Sequence, residues 1–253
     1  MNIEEYHKMR KLETTYWWFR ARRKMILTLL DKISREELRN RQGNLRVLDV
    51  GCGTGMLMED MKALGFVCGV DFSPVALTFC RERGLTNLVR ANVEKLPITT
   101  NHFDLVTALD LVEHVPDDRA LMGELYRVLR PGGIALMTVP AHPSLWSMHD
   151  VALHHQRRYE KKAFRSLIEN SGFELLRYSY MMASIYPFAA TYRQIKKRLG
   201  SSAKQQPHTD EFPLPRWLNT TLKAIASSEA YILKRWDIPW GLSLVSIARK
   251  PGK

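Results

Sequence analysis

One run, Val47-Leu48-Asp49-Val50-Gly51-Cys52-Gly53-Thr54-Gly55, constrains this chain more than any other. An apolar stretch from Leu45 to Val50 reads as a buried strand, opens into glycines spaced two apart, and passes into a helical pattern over Met56 to Leu64. Glycine is unfavourable in regular structure, so Gly51, Gly53 and Gly55 together imply a tight turn and a ligand lying close to the backbone. The spacing narrows the choice of ligand. A dinucleotide loop would carry glycine at position 56, where Met56 stands, and a P-loop would follow Gly55 with Lys and Ser or Thr instead of Met56 and Leu57. Asp49, inside the strand, would repel a pyrophosphate and attract an ammonium or a sulfonium.

The next segments repeat the rhythm of strand, functional tip and helix. Phe66 to Val70 reads as a second strand ending in Asp71 and Phe72, and a carboxylate at that tip can accept both hydroxyls of a ribose. Ser73-Pro74 supplies an N-cap and a first-turn proline for a helix to Arg83. Leu88 to Ala91 is a third strand, followed by Asn92 and Val93. Phe103 to Asp110 is a fourth, running into Leu111-Val112-Glu113-His114-Val115-Pro116-Asp117. Asp117 caps a helix to Leu129, Pro131-Gly132-Gly133 is expected to stop it, and Ile134 to Val139 is a fifth strand.

The glycine run, Asp71 and the Glu-His-Val-Pro-Asp segment, at successive strand ends between Val47 and Pro140, resemble the class I S-adenosylmethionine-dependent methyltransferases, and among them the type 11-like small-molecule enzymes. The resemblance implies a Rossmann-like, doubly wound α/β sheet of seven strands, the last antiparallel, with S-adenosyl-L-methionine as cofactor. It implies cofactor contacts from Asp49, Gly51, Gly53, Gly55, Asp71 and Phe72, from Asn92 and Val93 at the adenine, and from Leu109 and Asp110 at the methionine part. Asn92 stands where the family usually has Asp, but its amide oxygen can still accept from an amino group.

Two flanking regions carry the remaining chemistry. In Tyr16-Trp17-Trp18-Phe19-Arg20 four consecutive aromatics cannot all face one core, so the helical arm either lids the cofactor or packs on the body. As a lid it would bring Tyr16 and Arg20 to the cofactor and Trp17 to the acceptor, and would exclude water. Beyond the fifth strand, histidines 142, 149, 154 and 155 crowd a stretch that also holds Asp150, Arg157, Arg158 and Tyr159. His155, His114, Asp150 and Tyr159 are the candidate catalytic groups, and His149, Arg157 and Arg158 candidate acceptor ligands. Their spacing matches no common zinc pattern, so no metal is expected.

Charge divides the chain. Residues 1–46 hold twelve Lys/Arg against six Asp/Glu, residues 47–140 eight against twelve, and residues 141–253 eighteen against eight. Basic flanks on an acidic body suggest an anionic partner or simply solvated cations. The cysteines, Cys52, Cys68 and Cys80, form no Cys-x-x-Cys pair and suit a reducing compartment. No secretory leader and no membrane-spanning run is expected.

These observations divide the chain into a helical arm (1–44), a cofactor-binding core (45–180), a helical cap (181–240) with a mobile loop at 201–215, and a final core strand and tail (241–253). The expected function is methyl transfer to an O, N or C atom of a small-molecule or lipid-linked, anionic acceptor. The setting is cytoplasmic, with peripheral contact to an anionic inner membrane face suggested by the amphipathic, basic segment 181–200. An RNA methyltransferase is the rival enzyme, although no nucleic-acid module or Asp/Asn-Pro-Pro-Tyr/Phe segment is visible. A non-catalytic protein on the same fold is the other alternative.

Overall fold

In the computed structural model of the protein, residues 3–41, 44–198, 209 and 213–252 are described. Most of the loop expected at 201–215 lies outside them. The chain begins with helices α1 (Ile3–Leu12) and α2 (Trp17–Lys32), and the body follows as β1 (Leu45–Val50), α3 (Met56–Met61), β2 (Gly65–Asp71), α4 (Pro74–Glu82), β3 (Leu88–Arg90) and β4 (Phe103–Leu109). Then come α5 (Asp118–Val128), β5 (Leu129–Pro140), α6 (Met148–Ala152), α7 (Lys161–Asn170), β6 (Glu174–Met181), α8 (Tyr186–Arg198), α9 (Arg216–Leu233) and β7 (Ser243–Arg249).

The strands form one sheet in the order β3-β2-β1-β4-β5-β7-β6. Pairing is parallel from β3 to β5, and β7 runs antiparallel between β5 and β6, as the sequence led us to expect. The order reverses between β1 and β4, and it is outside the carboxyl ends of the strands flanking such a switch point that ligands bind in open α/β sheets. Register fixes what meets there. Asp49 lies opposite Gly69 on β2 and Thr107 on β4, so the acid of β1 is flanked by a residue without a side chain and by a hydroxyl. The central strands are almost wholly buried, which accounts for their largely apolar sequences, with Asp49 and Thr107 set among them.

Two local expectations need correction. The helical arm expected over residues 1–44 is not continuous. It breaks at residues 13–16, where the amide of Asn219 on α9 bridges both ends. Its Oδ1 accepts from Trp17 N at 2.9 Å and its Nδ2 donates to the Thr15 carbonyl at 2.9 Å. The Pro131-Gly132-Gly133 turn does not precede the fifth strand but lies within it, where the pairing of β4 with β5 shifts register between Phe103 and Leu105. Lys250 returns from the end of β7 to hold this irregularity, donating to the carbonyls of Tyr126 and Leu129.

The arm and the cap pack on each other through α2 and α9, and the two basic flanks thereby form one helical layer over the strand ends. Part of their charge is neutralised by the acidic body. Arg23 makes a bidentate pair with Asp60 at 2.6 Å and Arg22 pairs with Asp110, while in the opposite sense Glu13 of the arm pairs with Arg83 of the body. No helix among the described residues is long and apolar enough to cross a membrane.

Gly65 opens β2 at φ +143°, and a Cβ there would sit 2.4 Å from the Leu45 carbonyl oxygen. Replacement by alanine must move the start of β1 or β2 as well as strain the backbone, at a cost of about 3 kcal/mol. Gly65→Ala is therefore expected to lower the midpoint of chemical denaturation substantially, whereas Gly84→Ala, with open space around it, costs only the strain of its positive φ.

Candidate active site

A cavity of about 840 Å³ lies at the switch point between the strand ends and the helical layer. Its floor is the glycine loop. Gly51 and Cys52 donate backbone N–H groups to the Val70 carbonyl at 2.8 and 3.0 Å, which folds the loop back towards β2. Gly53 then points its N–H at Asp71 Oδ2, 2.9 Å away, and Ser73 N donates to Asp71 Oδ1 at 2.8 Å. The Tyr6 hydroxyl donates to the same carboxylate from α1 at 3.4 Å. Burial raises the Asp71 pKa, while these three donors favour the ionised form.

Asp49 sits deeper and is 4% exposed. Thr107 Oγ1 donates to it at 2.5 Å, yet desolvation dominates and pushes its pKa up to about 7. Asn92 and Val93 line the cavity beside Asp71, and the Asn92 amide oxygen accepts from Glu94 N at 3.0 Å, which leaves one lone pair for a ligand. Phe72 is exposed at the rim, under the Arg90 guanidinium. Leu109 and Asp110 form the wall at the end of β4. Asp110 has φ +52°, and its N–H donates to the Thr138 carbonyl at 3.0 Å.

The aromatic cluster does reach the cavity. Tyr16, Trp17, Trp18 and Phe19 all line it, with Trp17 buried and set edge-on to Trp18 at 5.6 Å. Leu218 and Leu222 of α9 and Ile185, Phe188 and Ala189 of the α8 region complete an apolar chamber.

The opposite corner is polar. His155 Nδ1 donates to Asp150 Oδ1 at 2.9 Å, and the rings of His155 and His114 meet edge to face at 4.7 Å. Burial, reinforced by His155, pushes the His114 pKa down to about 3, so its imidazole is neutral. Glu113 is completely buried, both carboxylate oxygens lack a hydrogen-bond partner, and burial beside Asp110 raises its pKa well above the usual range. His149 and Arg158 also line this corner.

Five expected site residues lie elsewhere. Gly55 turns the chain into α3 at φ +77° against Cys80 and Leu85, where the tight space comes from helix packing. Arg20 is exposed, in a separate hollow shared with Lys24 and with Lys223 and Tyr231 of α9, because it lies two positions along α2 from the inward-facing Arg22 and so points to the opposite side. Asp150 is fully buried beneath the surface. It closes a capping box with Ser147, accepts from Arg158 at 2.7 Å and from His155 at 2.9 Å, and does not line the cavity. Tyr159 and Arg157 both donate to Asp118 at 2.8 Å, and Arg157 reaches the carbonyls of Val115 and Pro116. These two residues fasten the histidine loop to the segment after β4.

Arg22, Tyr6, Glu13 and Glu113 were not anticipated. Arg22 bonds Thr138 Oγ1 at 2.7 Å, Ser243 Oγ at 3.2 Å and Asp110 at 2.5 Å, joining the arm to β4, β5 and the start of β7. Glu13 accepts from the Thr54 hydroxyl in the glycine loop. Within Arg-Ala-Arg-Arg nothing singles out one arginine as inward-facing, although the apolar period of α2 through Ala21, Met25 and Leu29 places residue 22 beside the buried stripe.

Residues 48–137 match the family described as a methyltransferase domain. A ubiquinone biosynthesis O-methyltransferase of Xanthomonas oryzae pv. oryzae is 39% identical over 111 residues, covering 41% of this chain and 46% of that protein. One from Bordetella avium is 31% identical over 127 residues, covering 46% and 53%. The chain thus spans about half the length of the curated relatives it matches. Among solved structures, an S-adenosylmethionine-dependent methyltransferase from Mesorhizobium loti superposes with a TM-score of 0.56 at 19% identity, over 83% of this chain and 92% of that one. Residues 48–137 are a class I methyltransferase domain, set in a Rossmann-like sheet of seven strands.

Asp49 provides a pH test of the site. Its folded pKa, about 7, exceeds that of an unfolded aspartate, so the folded state holds the extra proton. The contribution of Asp49 to stability is therefore greatest at low pH and falls as pH rises from about 4 to about 7, then levels. Asp49→Asn removes that loss and should stabilise the protein by about 2–4 kcal/mol at pH 8 and little at pH 4, measured by denaturation at both.

Proposed function

We propose that the chain is an S-adenosyl-L-methionine-dependent methyltransferase that acts on a hydroxyl of a largely apolar small-molecule or lipid-linked acceptor. The observation that carries the reading is one continuous cavity with a ribose-type carboxylate at one end and an apolar chamber with a polar corner at the other. Its volume lies high in the range of about 300–1,000 Å³ usual for small-ligand sites, with room for two ligands end to end. Bound there, the cofactor supplies a sulfonium methyl electrophile.

The residues fit that group. Asp71 keeps lone pairs for the ribose hydroxyls, held in place by the N–H groups of Gly53 and Ser73. Gly51 and Gly53 allow the methionine portion to lie against the backbone, with φ of +73° and +53° that a side chain would strain. Asn92 and Val93 would hold the adenine, with Phe72 at its edge, and Leu109 and Asp110 would border the methyl-donating end. Asp49 offers a carboxylate that a cation would hold ionised.

Catalysis by this chain is chiefly positioning. Tyr16, Trp17, Trp18 and Phe19 close the cavity from the arm, excluding water and confining the acceptor to a near-attack arrangement. The hydroxyl belongs in the polar corner, because Glu113, His114 and His155 are its polar groups opposite the apolar chamber. There it loses its proton, with His155 oriented by Asp150. Phe188, Tyr192, Ile195 and Trp217 stand exposed on α8 and α9, within the basic segment 141–253, and favour an acceptor drawn from an anionic membrane surface.

Two substitutions separate binding from turnover. Asp71→Ala should weaken S-adenosylhomocysteine at least about 100-fold by calorimetry, since the ribose loses a charged acceptor. His155→Ala should leave that affinity within a few fold while turnover of a phenolic or alcoholic acceptor falls about 100-fold or more. Equal loss of both in His155→Ala would make the residue structural.

Membrane contact is tested by co-sedimentation. Phosphatidylglycerol-containing vesicles should retain the protein at low salt, release it at high salt, and lose it on Phe188→Ser with Trp217→Ser. Equal recovery with neutral vesicles would reject the anionic surface.

A further inference from the structure

We propose that Glu113, His114 and His155 form a site for one divalent transition-metal cation at the acceptor end of the cavity. The inference deepens the methyltransferase reading, on which it rests only for what the cation does once bound.

Geometry comes first. One ligand atom from each of the three residues lies within 4.8 Å of the others, a spacing that a single ion can bridge. They come from two distant segments, the turn after β4 and the loop before α7, and those segments are fastened together. Gln156 N donates to the Glu113 carbonyl at 2.7 Å, and Arg157 bonds the carbonyls of Val115 and Pro116.

The second observation is the Glu113 side chain. It is 0% exposed, it borders the cavity, and neither carboxylate oxygen has a partner among the described residues. A buried carboxyl group in that state costs several kcal/mol unless a cation or a proton neutralises it. The neighbouring cations do not serve. Arg22 is bonded to Asp110 and Arg158 to Asp150, so each already has its own anion.

The surroundings of His155 provide a third. Its Nδ1 donates to Asp150, leaving Nε2 as the ligand atom, and Asp150 is fixed in turn by Arg158 at 2.7 Å and Ser147 N at 2.9 Å. A carboxylate behind an imidazole is the usual support for a metal-binding histidine, because it sets the tautomer and raises ligand basicity. Two imidazoles and one carboxylate suit zinc, manganese, cobalt or iron(II) and not calcium or magnesium. Three protein ligands leave a position open towards the cavity. With a cation bound, His155 serves as a ligand in place of a base: a hydroxyl ligated there would be acidified, pass its proton to water before the aromatics close, and keep the electron pair that forms the new C–O bond as the C–S bond breaks.

The test uses the full chain, stripped with a chelator and titrated with Co²⁺ while visible d–d absorption is recorded. Saturable 1:1 binding, displaced by Zn²⁺, is expected. Glu113→Gln and His114→Asn should each weaken it at least about 100-fold and Asp150→Asn about 10–100-fold, with circular dichroism melting as the control for folding. No saturable absorption up to millimolar Co²⁺, or binding that Glu113→Gln and His114→Asn both leave unchanged, overturns the site. Calorimetry with S-adenosylhomocysteine on the stripped protein separates the two readings. Cofactor binding without cobalt binding rejects the metal alone, and cobalt binding without cofactor binding rejects the methyltransferase reading while the site stands.

Discussion

Four carboxylates with almost no access to water, Asp49, Asp71, Glu113 and Asp150, gather at one end of the sheet, and the structure is arranged around keeping them there. Each is stabilised differently. Asp71 is met by two backbone N–H groups and a tyrosine hydroxyl, Asp49 by one threonine, Asp150 by an arginine and a histidine, and Glu113 by none of these. Asp71 and Asp150 are thus the satisfied groups, Asp49 is partly satisfied and Glu113 is not satisfied at all. Asp150 is held ionised by its neighbours, whereas Asp49 and Glu113 are pushed towards the neutral form by burial.

The helical layer is what keeps water from these groups. Arg22 crosses from α2 to Thr138, Ser243 and Asp110, and Glu13 joins the arm to Thr54 and Arg83. The basic excess of the first 46 residues is thus partly structural: it meets the acidic body in specific buried or half-buried pairs. Tyr6 extends the same attachment to Asp71, packing with Ala76 and Phe79 on α4. Arm, cap and strand ends therefore form one enclosure.

The body was legible in the sequence because its signals are local. A strand that ends in a glycine loop, an acid at the tip of the next strand and a Ser-Pro helix start are each written within a few residues, and the observed elements follow them closely. The site was legible in part. Asp71, Asn92, Val93, His114 and His155 reach the cavity, as do the four aromatics of the arm. Arg20, Arg157 and Tyr159 were misplaced because residue type and proximity in sequence do not reveal direction. Arg20 and Arg22 differ by two positions on a helix, and only one of them faces inward. Tyr159 and Arg157 are spent on Asp118, a partner about forty residues earlier.

By itself the sequence determined the parallel body, the reversal that creates a crevice, and the type of ligand its first loop can accept, because strand period, glycine spacing and acid placement act through the backbone over short distances. Tertiary structure alone decided which polar groups lose water and which keep a partner. Glu113 stands unremarkably between Val112 and His114 in the chain, and becomes an orphaned buried carboxyl only when the His155 loop folds across it. Desolvation depends on what covers a group from every side, and most of that cover comes from residues distant in sequence.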